Sequence, residues 1–575
     1  MKRFISLFII SLVAAVSCNV LDNVKDLSHY TADSVWSDQT LAQAYVTNLY
    51  ANVFSTWPQD GGNSDENIGI QHMDVSITTA GGGFKTWNYS SIRLINVAIK
   101  QLEESPLADN VKNPLLGQCY FMRAFQYYKM VREHGGVPII DFPQVYGEDD
   151  LEVARSSSEK CFEFMVSDLD KAITMLPAKQ EGSDYGRISK AAAYAFKGRV
   201  LLLEASPLFN PTAPFTNAYV SKALEANKTA FEFLNSNGFG LADDYSGVFE
   251  DNAGIEAVLP VVYVAPNKCQ GREPGVRPLS ISKNATGGDM ANFGLLEAFP
   301  MLDGKKIDEA GKYTYDMQRY WENRDPRFAA CFAWNGRALP WEGVSGRRLY
   351  TAPYLCDIAD CGGLSNDVAI YTRPGYWCIK GIKEELKMTE IALNDYDWIE
   401  IRYPEVWFNY AELANASGDQ SVGYDCIKAL RKRAGIEPGE DGMYGLKPNM
   451  NQEEMLQALL DEKRIEFCFE GYRFWDLRRN RMLDVLEGIQ KWGCWATLDE
   501  SKMSLEEAKV KAANYTLLPE DFKYERVDLW IRDQTGFQYM QMPKEYFYPI
   551  SLSSIEKNPK LEQNQGWGGT FVPTL

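Results

Sequence analysis

The stretch KRIEFCFEGYRFWDLRRNR, residues 463–481, interleaves Glu466, Glu470, Arg473, Asp476, Arg478 and Arg479 with Phe467, Phe469, Tyr472, Phe474 and Trp475. Such a mixture is either a catalytic cleft or a structural clamp. Read as one helix, it places Glu466 and Glu470 four apart on a shared face and Glu470 and Arg473 three apart, while Ile465, Phe469, Tyr472 and Trp475 follow the turn repeat on the adjacent face. Two carboxylates can serve a glycosidase. Hemmed in by Arg464 and Arg473, this pair is more simply held ionised than poised as acid and nucleophile. Arg473, between Glu470 and Asp476, meets the forked hydrogen-bond geometry that a guanidinium prefers. The expectation is a structural role for Glu466, Glu470, Arg473 and Asp476, as a helix locked to its neighbours by packed rings and ion pairs.

The rest of the chain supports that choice. GxxxxGK[ST], HExxH and GxSxG are all missing, and the histidines, His29, His72 and His134, lie far apart. A net charge of −19 without a basic, aromatic-rich stripe excludes nucleic acid as a partner. The acidic runs YGEDDLE and NSDEN lack the ligand spacing of a calcium cage, so no metal or cofactor is expected. With 575 residues, 45% of them apolar and 13% aromatic, the chain is long enough for a large core and more than one substructure.

At the N-terminus, Lys2 and Arg3 precede an apolar run from Phe4 to Val16 that ends in small residues and Cys18, the pattern of a secretion signal. The run is too short and too interrupted for a permanent membrane span. Ala15-Val16-Ser17-Cys18 resembles a bacterial lipobox, which makes Cys18 the acylated first residue of the mature chain. Several acyl chains on one residue tether a protein firmly to a membrane. The other ten cysteines are scattered. Cys356 and Cys361 flank DIAD at a spacing that suits either a loop disulfide or free thiols.

From about residue 35 to 236, segments of helical periodicity succeed one another, with Gly135-Gly136, Pro177, Pro207 and Gly238 at their ends. Start-to-start spacings of about 30 to 40 residues are near the period of helix-turn-helix repeats. From about 240 to 400 the texture changes to short segments rich in Gly, Pro, Asn and aromatics, and after 400 helical periodicity returns. The fold class expected is mainly α: a tetratricopeptide-like helical-repeat scaffold with an inserted loop-rich region containing short strands. The expected organisation is a leader at 1–17, a helical-repeat region at 18–250 and a C-terminal region at 251–575. The last divides into a loop-rich ligand-binding candidate, 251–400, and a helical return with the clamp, 401–575.

The run EKRIEFCFEGYRFWDLRR at 462–479 resembles ERxxEFxFEGxRxxDLRR of the SusD/RagB-like outer-membrane proteins of the Bacteroidetes, departing by Lys463. MRAFQYYKMVREHGGVPII (122–140), NRDPRF (323–328), GYWCIKG (375–381), IRYPEVWFNYAELANASGD (401–419), ALRKRAGI (429–436) and YPISLSSIEKNPKLEQNQGW (548–567) resemble further elements of that family in its order. Pro404 and Gln565 depart from the pattern within structural elements. The resemblance spans nearly the whole mature chain. It implies a lipid-anchored protein of the outer membrane, exposed at the cell surface. Such a protein captures a glycan, or a peptide as in RagB-like members, and delivers it to a SusC-like TonB-dependent transporter without cleaving it.

A glycan site needs aromatic platforms beside polar side chains. The candidates are Trp57, Trp87, Trp334, Trp341 and Tyr350 as platforms, with Asn63, Asp65 and Arg347 as polar partners. Ordinary core packing is the alternative for each tryptophan. Trp57 and Trp341 sit among turn-forming residues, which favours exposure, whereas Trp377 reads as core. Two other functions fit the same frame: a helical-repeat adaptor that binds another protein through its groove, and a surface hydrolase that depends on Glu470.

Overall fold

The computed structural model describes residues 32–54, 57–58, 64–68, 79, 86–250, 254–282, 289–355, 374–529 and 546–575. Cys18, Asn63, Cys356 and Cys361 lie outside the described residues. After a short helix at Ala32–Ser37, the first half is built from α1 (Gln39–Val53), α2 (Tyr89–Glu103), α3 (Asp109–His134), α4 (Ser158–Met175), α5 (Lys190–Ala205) and α6 (Tyr219–Ser236). Asp38, Asn88, Ser157 and Ser189 each accept a first-turn backbone N–H, which satisfies donors that a helix start leaves open. Helices α3 to α6 stop one or two residues before Gly135, Pro177, Pro207 and Gly238. At Gly135 φ is +77°, and a Cβ on Gly136 would lie 2.0 Å from the Ser156 carbonyl, so both glycines are required there. α3 begins earlier than its proline suggests. Pro114 stands in its second turn, where it removes one hydrogen bond while the buried run from Leu115 to Val131 holds the helix in place.

These helices pack around a ring cluster in which Phe125 lies 5.1 Å from Phe54 and 5.2 Å from Phe196. Arg123 of α3 ties three helices together. Its guanidinium forks onto Asp168 of α4 at 2.7 and 2.8 Å and donates to Asn96 Oδ1 of α2 at 2.9 Å.

The second half starts with β1 (Ala257–Val261), a fully buried strand paired antiparallel with β6 (Trp398–Arg402). Between them lie α7 (Pro326–Cys331), β2 (Phe332–Trp334), β3 (Ala338–Leu339), β4 (Arg347–Arg348) and β5 (Tyr376–Cys378), forming the two-stranded pairs β2–β5 and β3–β4. Helices then return: α8 (Tyr403–Ala416), α9 (Ser421–Ala434), α10 (Gln452–Glu466) and α11 (Tyr472–Arg479), followed by the pair β7 (Trp492–Leu498) and β8 (Phe522–Asp528). The loop-rich region has a core of its own around Phe293, Phe299, Phe328, Phe332 and Tyr376, which β7 and β8 help to cover through Cys494 and Tyr524. The returning helices rejoin the first half: Trp407 of α8 packs 5.1 Å from Phe231 of α6, and Tyr403 Oη donates to Asn235. Mainly helical architecture with short two-stranded sheets is thus what forms. Trp377 is core, as expected.

Candidate functional site

The opening stretch folds as two helices, not one. α10 ends at Glu466, the chain turns through Phe467–Gly471, and α11 starts at Tyr472, with φ of 56° at Phe469 and 81° at Gly471. The turn lets both glutamates converge on one cation. Glu470 accepts from Arg402 through both oxygens at 2.8 Å and from Lys380 at 2.6 Å. Glu466 accepts from Arg402 at 3.1 Å, Arg433 at 2.6 Å and Arg327 at 3.1 Å. Burial alone raises Glu466, but Arg433, Arg402 and Arg327 outweigh it and hold the carboxyl well below the usual range. A carboxylate so held has no proton to donate as a general acid. Removing one member of such a buried set typically costs about 3–5 kcal/mol, because its partner is left charged and alone.

Arg473 corrects the sequence reading. It forks onto Asp65 at 3.0 Å through Nε and Nη2 and does not bridge Glu470 to Asp476. Asp476 is held by Lys463 at 3.0 Å and by Arg479 at 2.7 Å. Asp65, expected to meet ligand, also pairs with Arg464 at 3.1 Å. Burial opposes its charge, yet the two arginines hold Asp65 down at about 2. The reason is distance along the chain: 408 residues separate Asp65 from Arg473, and helical spacing is blind to such a partner.

The expected platforms do not form one exposed shelf. Trp57, only 2% exposed, is core: it lies 4.7 Å from Phe249 and 5.0 Å from Trp398, and its Nε1 donates to the Phe469 carbonyl at 2.7 Å. Trp341 is fully buried in a cluster with Trp377, Ile379 and Ile382. Both indoles point inward despite the turn-forming residues near them in sequence. Tyr350 is buried and donates to the Leu517 carbonyl at 3.0 Å; Arg347 is paired with Glu342 at 2.5 Å. Trp87 is half-buried against Tyr89 and His134. Trp334 is half-buried and stacked 5.7 Å from Trp321, with the Arg337 guanidinium 4.7 Å above its ring. The most exposed aromatic rings among the described residues are Tyr146 (90%) and Tyr354 (80%), neither of them singled out from sequence.

Two cavities flank the clamp, so the clamp walls space as well as stiffening the frame. The first, about 150 Å³, lies between α3, α5, α8 and α11 and is lined by residues that include Arg132, Asn409, Glu470 and Trp475. The second, about 240 Å³, lies beside α7 and the 379–384 loop, with Tyr245, Phe249, Arg337, Lys380, Glu384 and Tyr396 in its wall. Trp57 packs against a wall residue of each, and the Lys380–Glu470 ion pair joins them. Trp334 supports the second cavity from behind, through Arg337. Tyr396 Oη has no hydrogen-bond partner, and the Glu384 and Glu250 carboxylates have no ion-pair partner, among the described residues. Burial first, and then the charges of Glu385 and Glu250, push Glu384 up to about 7. Ring faces, unpaired acceptors and a guanidinium around one hollow are the chemistry that sugar hydroxyls and C–H faces require. Sequence reading missed these residues because Arg337, Glu384 and Tyr396 stand in no motif. Among the described residues no cluster of His, Cys, Asp or Glu is arranged to hold a metal ion.

Comparison with known proteins gives consistent matches along the chain. The SusD family model matches residues 265–567, and a second model, described as starch-binding associating with outer membrane, matches residues 13–202. SusD-like protein P38 of Formosa agariphila is 24% identical over 424 residues, covering 70% of this chain and 73% of that protein; SusD-like protein P2 of the same organism is 23% identical over 517 residues, covering 84% and 91%. A SusD-like protein from Bacteroides fragilis superposes with a TM-score of 0.72 at 22% identity, covering 95% of this chain and 99% of that one. A SusD-like carbohydrate binding protein from the same organism superposes with a TM-score of 0.70 at 18% identity, covering 92% and 99%. At these identities the solved structures establish the fold.

Proposed function

The chain belongs to the SusD family, and from that premise we propose that it is a lipid-anchored surface protein of the outer membrane that captures oligosaccharide and passes it to a SusC-like TonB-dependent transporter. It is a binding protein and not an enzyme. The observation that carries the saccharide reading is the second cavity, where Tyr396, Phe249 and Tyr245 supply ring faces and Arg337, Glu384 and Glu250 supply donors and acceptors around about 240 Å³. A hollow of that size takes one or two sugar rings, with the rest of a chain lying across its mouth. Among the similar solved structures one is described as a laminarin binding SusD-like protein, superposing with a TM-score of 0.59 at 17% identity, which supports a glucan as the first ligand to try.

The test is calorimetric titration of the purified protein with a panel of oligosaccharides and peptides. At least one oligosaccharide binds, and Tyr396→Ala weakens it tenfold or more while the melting curve stays cooperative. A panel in which only peptides bind, or unchanged saccharide affinity in Tyr396→Ala, overturns the reading.

A further inference from the structure

The first cavity differs from the second in its charge and in its unused hydrogen-bonding groups. The carboxylates in its wall are all committed: Glu400 and Glu405 hold Arg199, Asp476 holds Lys463 and Arg479, and Glu470 belongs to Lys380 and Arg402. Lys129 donates to the Val53 carbonyl. Arg132 is different. Its guanidinium lies 3.5 Å over the Trp475 ring, and among the described residues its buried Nε has no hydrogen-bond partner and no carboxylate forms an ion pair with it. Asn409 is the second unpartnered group: it lines the same cavity, is 2% exposed, and its amide makes no hydrogen bond among the described residues. Buried polar groups are nearly always satisfied, and a cation flattened on an indole keeps its N–H edge free for an acceptor in the ring plane.

The geometry points to a binding site for one anionic sugar unit in this cavity, a pyranose carrying a carboxylate or a sulfate ester, with Arg132 receiving the anion and Asn409 a ring hydroxyl. A cavity of about 150 Å³ has the size that holds a single six-membered ring. Tyr128 lines the same cavity and offers an aromatic surface to the C–H side of a pyranose, while the Trp475 ring holds the Arg132 guanidinium in place. Selecting an anion in a chain of net charge −19 needs a local cation that no ion pair neutralises, and Arg132, held by the Trp475 and Tyr128 rings, has no ion-pair partner among the described residues. The site deepens the saccharide-capture reading and rests on it: one subsite selects charge, the other accepts neutral rings.

Titrating the full purified protein with galacturonate, galactose 6-sulfate, galactose and inorganic sulfate tests this, with heat and melting temperature as readouts. Galacturonate or galactose 6-sulfate binds at least tenfold more tightly than galactose, and whichever of the two binds identifies the anion as carboxylate or sulfate ester. Arg132→Gln removes that preference. Asn409→Asp, nearly isosteric and expected to fold, weakens the anionic sugar at least tenfold by placing a like charge beside it. Equal binding of galactose, inorganic sulfate binding as tightly as the sugar, or both variants retaining the preference overturns the proposal. If neutral oligosaccharides still bind through Tyr396 while neither charged sugar binds, only this subsite fails; if no saccharide of any kind binds, the saccharide-capture reading fails with it.

Discussion

Asp65 and Glu66 are neighbours in sequence, both buried, and displaced in opposite directions. Asp65 stays at about 2 because Arg464 and Arg473 outweigh its burial; Glu66 is pushed up to about 7 by burial, with the Asp65 charge adding to it. The signs for stability follow. A depressed carboxyl contributes stability that is present above its unfolded value near 3.8 and is lost as pH falls toward 2. A raised carboxyl does the reverse: its contribution is complete below about 4.5 and is lost as pH rises through 7. Asp65→Asn is therefore expected to cost about 3 kcal/mol at pH 7, leaving two half-buried guanidinium groups without their anion, and the gap to the natural protein should narrow at pH 3. Glu66→Gln should be nearly neutral at pH 4.5 and stabilising by about 1–3 kcal/mol at pH 8. Urea titrations at these four pH values measure both, and a pair of variants whose differences do not change with pH would refute the assignment.

At the scale of elements, a small residue sets how closely two of the helices approach. Gly198 of α5 meets Asn227 of α6, where an added Cβ would lie 2.4 Å from Asn227 Oδ1, and the Asn227 amide donates to the Gly198 carbonyl at 3.0 Å. Alanine is worth about 1 kcal/mol over glycine in an isolated helix, yet Gly198→Ala is expected to cost about 1–3 kcal/mol here because α6 must move away. Adding Asn227→Ala should recover most of that loss, a coupling readable in a double-mutant cycle of denaturation midpoints. Simple additivity of the two changes would show that the helices are not in tight contact at this point. The clamp teaches a related lesson. Its residues have helical spacing throughout, but the positive φ at Phe469 and Gly471 breaks the helix so that Glu466 and Glu470 reach Arg402 from two directions. Turn residues inside an otherwise helical pattern are a weak local signal, and the tertiary ion pairs decide in favour of the break.

At the scale of the whole molecule, two cores meet at the clamp, and a cavity opens on each side of it. Attachment of this body to a membrane is proposed through Cys18. Cys18→Ala should move the protein from the membrane fraction to the soluble fraction without altering its melting curve, and continued fractionation with membranes would count against lipidation. The mainly helical frame, its interruption by a loop-rich region and the helix stops at Gly135, Pro177, Pro207 and Gly238 were determined by sequence alone. Periodicity, turn chemistry and charge neighbours act within a few residues, so they can be read along the chain. Which tryptophans are buried, which anion Arg473 serves, and which of Arg132, Asn409 and Tyr396 keeps an unused hydrogen-bonding group were decided only in the tertiary structure. Burial and pairing are properties of what a side chain touches, and in this protein Trp57 touches Phe469 across 412 residues of chain.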